Sequence, residues 1–154
     1  MKELVNKLIE KEKTISTMES CTGGYIVNEI TNIEGASEVL KFSAVTYSNE
    51  YKIKLGVDKN IIEKYSVYSI ETANEMSKKI SIFTNSDYGI GITGKLNRVD
   101  KNNLVGSDNK VYISVYDRKN DKYIESVVIV DKKTRPENKK IVLDEVIKIL
   151  QNTI

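Results

Sequence analysis

Ser20, Cys21 and Thr22 stand together in TMESCTGGYIVNEI, residues 17–30, where an apolar strand pattern gives way to a helical one. A serine or cysteine at the N-terminal end of a helix meets unpaired backbone N–H groups and the positive end of the helix dipole. Those features can stabilise an oxyanion during acyl transfer or bind a phosphate. The alternative is structural: Ser20 or Thr22 caps the helix and the glycines form a tight turn. The pattern leaves both interpretations open.

The chain contains no histidine. This excludes Ser-His-Asp and Cys-His catalysis, histidine metal ligands and imidazole acid–base chemistry within this chain. A serine nucleophile would then need a lysine as its base, with a pKa brought from ~10.4 towards 7 by roughly 4–5 kcal/mol of desolvation or like-charge repulsion. Lys52, which follows an apolar strand and precedes Ile53, is the candidate. The alternative is an ordinary surface lysine.

Gly89, Gly91 and Gly94 in GIGITG match the spacing of the dinucleotide-binding fingerprint. That fingerprint follows a strand and opens a helix, whereas these glycines lie within the apparent strand and a polar segment follows them. We interpret them as positions where a ligand or a neighbouring element approaches the backbone closely, with Thr93 exposed at the end of the strand.

Length and composition predict one domain over residues 1–154 with a sizeable core. The net charge of +2 gives no electrostatic footprint for nucleic acid. The single cysteine, Cys21, excludes an intramolecular disulfide and a multi-cysteine zinc site, and we expect no metal or cofactor. The N-terminus does not resemble a signal peptide and no stretch has the roughly 20 apolar residues that span a membrane, so we expect a cytoplasmic protein with no membrane contact.

Hydrophobic periodicity predicts alternating helices and strands, with an antiparallel pair late in the chain. The pattern indicates an α/β fold, a three-layer domain with a mixed sheet. Residues 95–110 show no periodicity, and a loop of that length is usually functional or mobile. The predicted helices cover residues 4–12, 24–31, a short segment capped by Asp58, residues 69–83 capped by Ser69, and a segment after Pro136; the strands cover 14–18, 41–48, 87–94, 111–117 and 123–131.

Several short motifs occur in a familiar order, and two of them form a specific combination. They are ESCTGG (19–24), GAS (35–37), YSNEYKIKLGV (47–57), GITG (91–94) and VGSDNKVYIS (105–114). With these motifs the chain resembles the CinA C-terminal domain, or nicotinamide-mononucleotide amidohydrolase, family over nearly its whole length. ESCTGG together with YSNxxK is far more specific than either motif alone. The resemblance implies an α/β/α sandwich, and the family includes Ser/Lys amidohydrolases that convert nicotinamide mononucleotide to nicotinate mononucleotide and ammonia.

The resemblance also implies roles for individual residues. Ser20 matches the nucleophile and Lys52 the base, the backbone N–H groups of residues 21–23 are expected to hold the oxyanion, and no metal or redox cofactor is needed. Arg135 is a candidate phosphate partner. The residues implied to bind the substrate are Cys21, Thr22, Gly23, Tyr47, Ser48, Asn49, Thr93, Gly94 and Arg135.

This chain departs from the family pattern in places. KLNRVDKNN (95–103) replaces a loop rich in glycine and proline, Tyr68 stands where a small or branched residue is typical, and Lys139 replaces a common arginine. A second hypothesis is therefore a diverged homologue that binds a nucleotide or a protein partner without deamidating it. For either hypothesis we expect a stand-alone domain, a small-molecule nucleotide ligand and a possible homodimer.

Overall fold

The computed structural model describes residues 1–154, and a five-stranded mixed sheet lies at its centre. Its strands are β1 (Ile15–Glu19), β2 (Leu40–Val45), β3 (Tyr88–Gly94), β4 (Lys110–Asp117) and β5 (Lys122–Ile129). Their order across the sheet is β2-β1-β3-β4-β5. β1 pairs in parallel with β2 and β3, whereas β3, β4 and β5 pair antiparallel, which confirms the predicted mixed sheet and the late hairpin.

Helices cover both faces of the sheet. They are α1 (Lys2–Glu10), α2 (Tyr25–Thr31), α3 (Ala36–Val39), α4 (Asn49–Lys54), α5 (Lys59–Tyr65), α6 (Ile70–Thr84) and α7 (Arg135–Thr153). A core of 22 buried residues joins the sheet to α1, α2, α3 and α7, and a second core of 6 joins it to α5 and α6. The predicted three-layer α/β/α sandwich is therefore confirmed. None of the helices is long and apolar enough to cross a membrane.

The predicted helix starts that depend on local side-chain caps are confirmed. Ser69 accepts a hydrogen bond from the Thr72 backbone N–H at the start of α6, and Asp58 caps α5 in the same manner. The capping box of Thr134 and Glu137 was not predicted, and α7 begins at Arg135, just before the expected start after Pro136. A cap satisfies donors that the helix itself leaves free, so these residue types mark helix starts directly in the sequence.

Gly89 and Gly91 allow α6 to lie directly against β3. A Cβ atom at Gly89 would lie 1.9 Å from the Ser77 carbonyl oxygen, and one at Gly91 would lie 2.2 Å from that of Ala73. The close approach predicted for these glycines is therefore made by a neighbouring helix. This close packing places α6 against β1 and β3, the two parallel strands that end at the candidate site.

The segment that follows β2 differs from the prediction. The strand ends at Val45 instead of residue 48, and the short helix α4 begins at Asn49 with Ser48 as its N-cap. This helix has six residues, too few to show a hydrophobic period. Residues 95–109 contain no helix or strand, as predicted for this polar segment.

Candidate active site

Ser20 lies where β1 ends, beside the end of the parallel strand β3. Its backbone N–H donates to the Ile92 carbonyl oxygen at 3.0 Å, which continues the pairing of the two strands. The carboxyl ends of parallel strands in α/β proteins are common ligand sites. Ser20 is one of the residues that line a cavity of about 400 Å³ at this edge, within the range of ~300–1,000 Å³ typical of small-molecule pockets.

Lys52 is buried and its Nζ lies 3.0 Å from the Ser20 Oγ. The same Nζ donates to the Thr46 carbonyl oxygen at 2.7 Å, and the Thr46 N–H in turn donates to the Glu19 carbonyl oxygen at 2.8 Å. These contacts join the start of α4 to the end of β1. Lys54, two residues further along α4, is exposed and pairs with Glu50. The two lysines of α4 therefore have different environments, one buried at Ser20 and one exposed.

Burial lowers the pKa of Lys52 from 10.5 to about 8, and the nearby Cys21 partly opposes this effect. A buried ammonium loses its hydration, so the neutral amine becomes accessible near neutral pH. The neutral amine can donate one N–H to Thr46 and keep its lone pair directed at the Ser20 hydroxyl. The arrangement therefore provides a nucleophile and a base in hydrogen-bond contact without histidine.

Glu19 holds the start of α2, a contact that the sequence analysis missed. Its fully buried carboxylate accepts the backbone N–H groups of Gly24, Ile26 and Val27 at 2.9–3.2 Å. The N-cap of α2 is Gly24 in the left-handed conformation, so the alternative in which Ser20 or Thr22 caps the helix is wrong. The available signal was an acidic residue at the end of an otherwise apolar strand.

One backbone N–H group next to Ser20, that of Cys21, is free for a ligand in the cavity. The Thr22 N–H also has no acceptor, but Thr22 is fully buried and does not line the cavity, and the Gly23 N–H donates to the Ser20 carbonyl oxygen at 3.0 Å. The expected oxyanion donors therefore reduce to Cys21. Burial raises the pKa of the Cys21 thiol to about 12, so this residue offers its backbone and not a thiolate.

The structure brings together most, but not all, of the residues implied to bind the substrate. Thr22, Gly23 and Thr93 do not line the cavity. Thr93 is fully buried and its hydroxyl donates to the Val67 carbonyl oxygen at 2.8 Å, so its predicted exposure is wrong. The Thr22 side chain is also fully buried, and its hydroxyl has no partner. The predicted residues that line the cavity with Ser20 and Lys52 are Cys21, Tyr47, Ser48, Asn49, Gly94 and Arg135.

The irregular segment after β3 provides one wall of the cavity. Sequence analysis indicated a functional or mobile loop there without identifying its contacts. The Arg98 guanidinium donates to the Lys133 carbonyl oxygen at 2.6 Å, which joins the segment to the chain just before α7. The residues it contributes are Lys95, Leu96, Arg98, Val99, Asp100, Asn102 and Asn103, and Gly94 at the end of β3 adjoins them.

The cavity is rich in positive charge. Lys95, Arg98 and Arg135 line it together with Lys52, and Asp100 is its single acidic residue. Arg135 also donates to the Tyr47 hydroxyl at 3.2 Å, which holds the guanidinium at the cavity wall. Guanidinium and ammonium groups in this arrangement suit a phosphate or carboxylate ligand. The chain has no group of three His, Cys, Asp or Glu residues placed to hold a metal ion.

The family model of the CinA C-terminal domain matches residues 1–154. The chain belongs to this family. A CinA-like protein from Thermosipho melanesiensis is 40% identical over 127 residues, covering 80% of this chain and 31% of the relative. A putative competence-damage inducible protein from Clostridium beijerinckii is 52% identical over 88 residues, covering 56% of this chain and 22% of the relative. The chain thus spans about a quarter to a third of the curated relatives it matches.

Solved structures of the CinA superfamily share the fold. One from Escherichia coli superposes with a TM-score of 0.89 at 21% identity, covering 99% of this chain and 87% of its own. A competence/damage inducible protein from Agrobacterium tumefaciens superposes with a TM-score of 0.84 at 25% identity, covering 98% of this chain and 93% of its own. The α/β/α sandwich is therefore the architecture of the superfamily.

Proposed function

We propose that the chain is a Ser/Lys amidohydrolase that deamidates nicotinamide mononucleotide to nicotinate mononucleotide and ammonia. The observation that supports this most directly is the 3.0 Å contact between the Lys52 Nζ and the Ser20 Oγ in a ligand-sized cavity. The lowered pKa of Lys52 gives the base a neutral form near physiological pH. Membership of the CinA C-terminal domain family supports amide hydrolysis as the reaction class. The lysine and arginine side chains that line the cavity support an anionic ligand.

The first half of the reaction transfers the acyl group to the serine. Neutral Lys52 takes the Ser20 proton while Oγ attacks the carboxamide carbon, and the free N–H group of Cys21 stabilises the resulting oxyanion. The Lys52 ammonium then protonates the amide nitrogen, the C–N bond breaks and ammonia leaves. The product of this half is an ester between the nicotinoyl group and Ser20.

The second half hydrolyses that ester. Water attacks the acyl carbon as neutral Lys52 accepts one of its protons, and the same lysine returns a proton to Oγ when the C–O bond breaks. The carboxylate product leaves and Ser20 is restored. The Thr46 carbonyl, which accepts from the Lys52 Nζ at 2.7 Å, keeps the amine directed at the reacting atoms through both halves.

Ammonia release from nicotinamide mononucleotide tests the proposal. We expect Ser20→Ala and Lys52→Met each to lower kcat by at least about a thousandfold, because each removes one member of the nucleophile–base pair. Lys54→Met is the matched control, since it removes an exposed lysine from the same helix. A wild-type protein that binds the nucleotide and releases no ammonia would contradict the proposal and favour the diverged, non-deamidating homologue.

A further inference from the structure

Two residues from separate segments meet in the wall of the cavity. The Tyr68 hydroxyl donates a hydrogen bond to the Oδ2 of Asp100, and both residues line the cavity. Tyr68 lies between α5 and α6, and Asp100 lies in the irregular segment after β3. This contact provides the cavity with an aromatic ring and a carboxylate as one unit.

The backbone places Tyr68 close to the nucleophile. The Ser20 N–H donates to the Ile92 carbonyl oxygen at 3.0 Å, and the hydroxyl of the next residue, Thr93, donates to the Val67 carbonyl oxygen at 2.8 Å. Tyr68 directly follows Val67, so the hydrogen bond from Thr93 holds Tyr68 beside β3, the strand that pairs with Ser20. A carboxamide carbon in contact with Ser20 Oγ is bonded directly to the pyridine ring of the substrate, so this ring lies in the same part of the cavity.

Asp100 offers a negative charge that no protein cation neutralises. Its carboxylate accepts from the Tyr68 hydroxyl and, at 2.9 Å, from the Asn102 N–H, and it belongs to none of the ion pairs of the chain. The hydrogen bond from Tyr68 lowers the pKa of the Asp100 carboxyl, which keeps it ionised at neutral pH. The Asn103 backbone and side chain also lower the pKa of this carboxyl, so Asp100 would attract a ligand through its charge and not through a free acceptor position.

Lys95 forms no ion pair with Asp100. Its Nζ lies over the Tyr68 ring, 5.1 Å from the ring centre, and is paired with Asp108 at 3.0 Å. Asp108 does not line the cavity, so the Lys95–Asp108 pair leaves Asp100 as the acidic group that faces a ligand.

We propose that Tyr68 and Asp100 form the subsite for a positively charged ring and make the cavity select a pyridinium over its neutral counterpart. The inference rests on the proposed function, because it takes a pyridine mononucleotide as the ligand. A quaternary pyridinium is attracted by the Asp100 carboxylate, which the Tyr68 hydroxyl holds in the cavity wall. The Lys95 ammonium already lies over the Tyr68 ring, so the attraction is assigned to Asp100. The phosphate at the other end of the ligand would bind to Arg135 and Arg98. The cationic ring would then face a carboxylate, and the anionic phosphate would face guanidinium groups.

Two ligands that differ in ring charge test the subsite. Nicotinamide mononucleotide has a cationic ring, and its reduced 1,4-dihydro form has the same ribose and phosphate with a neutral ring. Binding is measured by titration calorimetry at pH 8, in a Ser20→Ala background that prevents turnover. We expect Asp100→Asn to weaken binding of the oxidised form about tenfold and to leave binding of the reduced form unchanged. The retained binding of the reduced form shows that the variant is folded.

Glu50→Gln is the matched control, since it removes an exposed carboxylate outside the cavity lining. Its ion-pair partner Lys54 is exposed as well, so the ratio of the two affinities should not change. If Asp100→Asn weakens both ligands equally, or neither, Asp100 is structural and the inference is wrong. The inference is also wrong if the Ser20→Ala protein binds no oxidised nucleotide. Selective binding without ammonia release from the wild type would refute the proposed reaction alone.

Discussion

The Nζ of Lys52 lies 3.0 Å from the Oγ of Ser20 while the lysine is 1% exposed, and this combination determines the pH dependence of the site. Burial lowers the lysine pKa to about 8, so about a tenth of the amine is neutral at pH 7. A base must be neutral to take the serine proton.

We therefore expect kcat/KM for deamidation to rise with pH, with a midpoint near 8, and to level off about one unit above it. Initial rates of ammonia release between pH 6 and pH 10 measure the profile. Lys54→Met should leave the midpoint unchanged, since that lysine is exposed. A rate that is constant across this range would show that Lys52 is not the base.

The same burial affects stability. The lowering of the Lys52 pKa from 10.5 to about 8 corresponds to ~3 kcal/mol against the folded state while the amine is protonated. This penalty is fully present below pH 8 and disappears as pH rises through 10.5, where the unfolded chain loses its proton as well. We expect Lys52→Met to raise the free energy of unfolding at pH 7, and its advantage to shrink by about 3 kcal/mol by pH 11. Urea unfolding of both proteins at several pH values measures the difference; an advantage independent of pH would contradict the prediction.

Glu19 positions the serine through α2. Its carboxylate accepts three backbone N–H groups, those of Gly24, Ile26 and Val27. The amide of Glu19→Gln has a single oxygen, so at least one buried donor loses its acceptor, at about 1–3 kcal/mol. We expect lower stability in urea and a fall in kcat with little change in KM, since the altered group lies behind Ser20 and not in the cavity lining.

Glu29→Gln is the matched control for this prediction, because the Glu29 carboxylate on the same helix accepts only from the exposed Asn28 side chain. It should leave both stability and kcat within experimental error. If Glu19→Gln changes stability without changing kcat, its carboxylate holds the helix but does not position the nucleophile.

The sequence predicted those parts of the site that depend on residue type and local pattern. Ser20 and Lys52 could be paired because the lack of histidine left few bases, and the family resemblance supplied the spacing between them. The caps at Asp58 and Ser69 are local signals and could be predicted in the same way. Each of these inferences needs only neighbouring residues or one strong motif.

The parts that were missed depend on contacts between distant segments. Thr93 was expected to be exposed, but its hydroxyl meets the Val67 carbonyl, 26 residues earlier in the chain. Asp100 and Tyr68 are 32 residues apart, and no periodicity in an irregular segment predicts that they touch. Glu19 was overlooked because the backbone N–H groups that donate to its carboxylate come together only when the turn after β1 folds back over it.

Thr22 and Thr93 differ in one respect that can be measured. Both are fully buried at the same edge of the sheet, but the Thr93 hydroxyl donates to the Val67 carbonyl and the Thr22 hydroxyl has no partner. A buried hydroxyl without a partner costs about 1–3 kcal/mol, whereas removal of a paired one leaves an acceptor unsatisfied. We expect Thr22→Val to stabilise the protein by about 1 kcal/mol, and Thr93→Val to destabilise it by a similar amount or more. Urea unfolding measures both changes.

The KM for the nucleotide tests whether the Thr22 hydroxyl contacts the substrate. It should be unchanged in Thr22→Val, since the Thr22 side chain does not line the cavity. A rise in KM would instead mean that the bound substrate supplies the missing partner of the Thr22 hydroxyl.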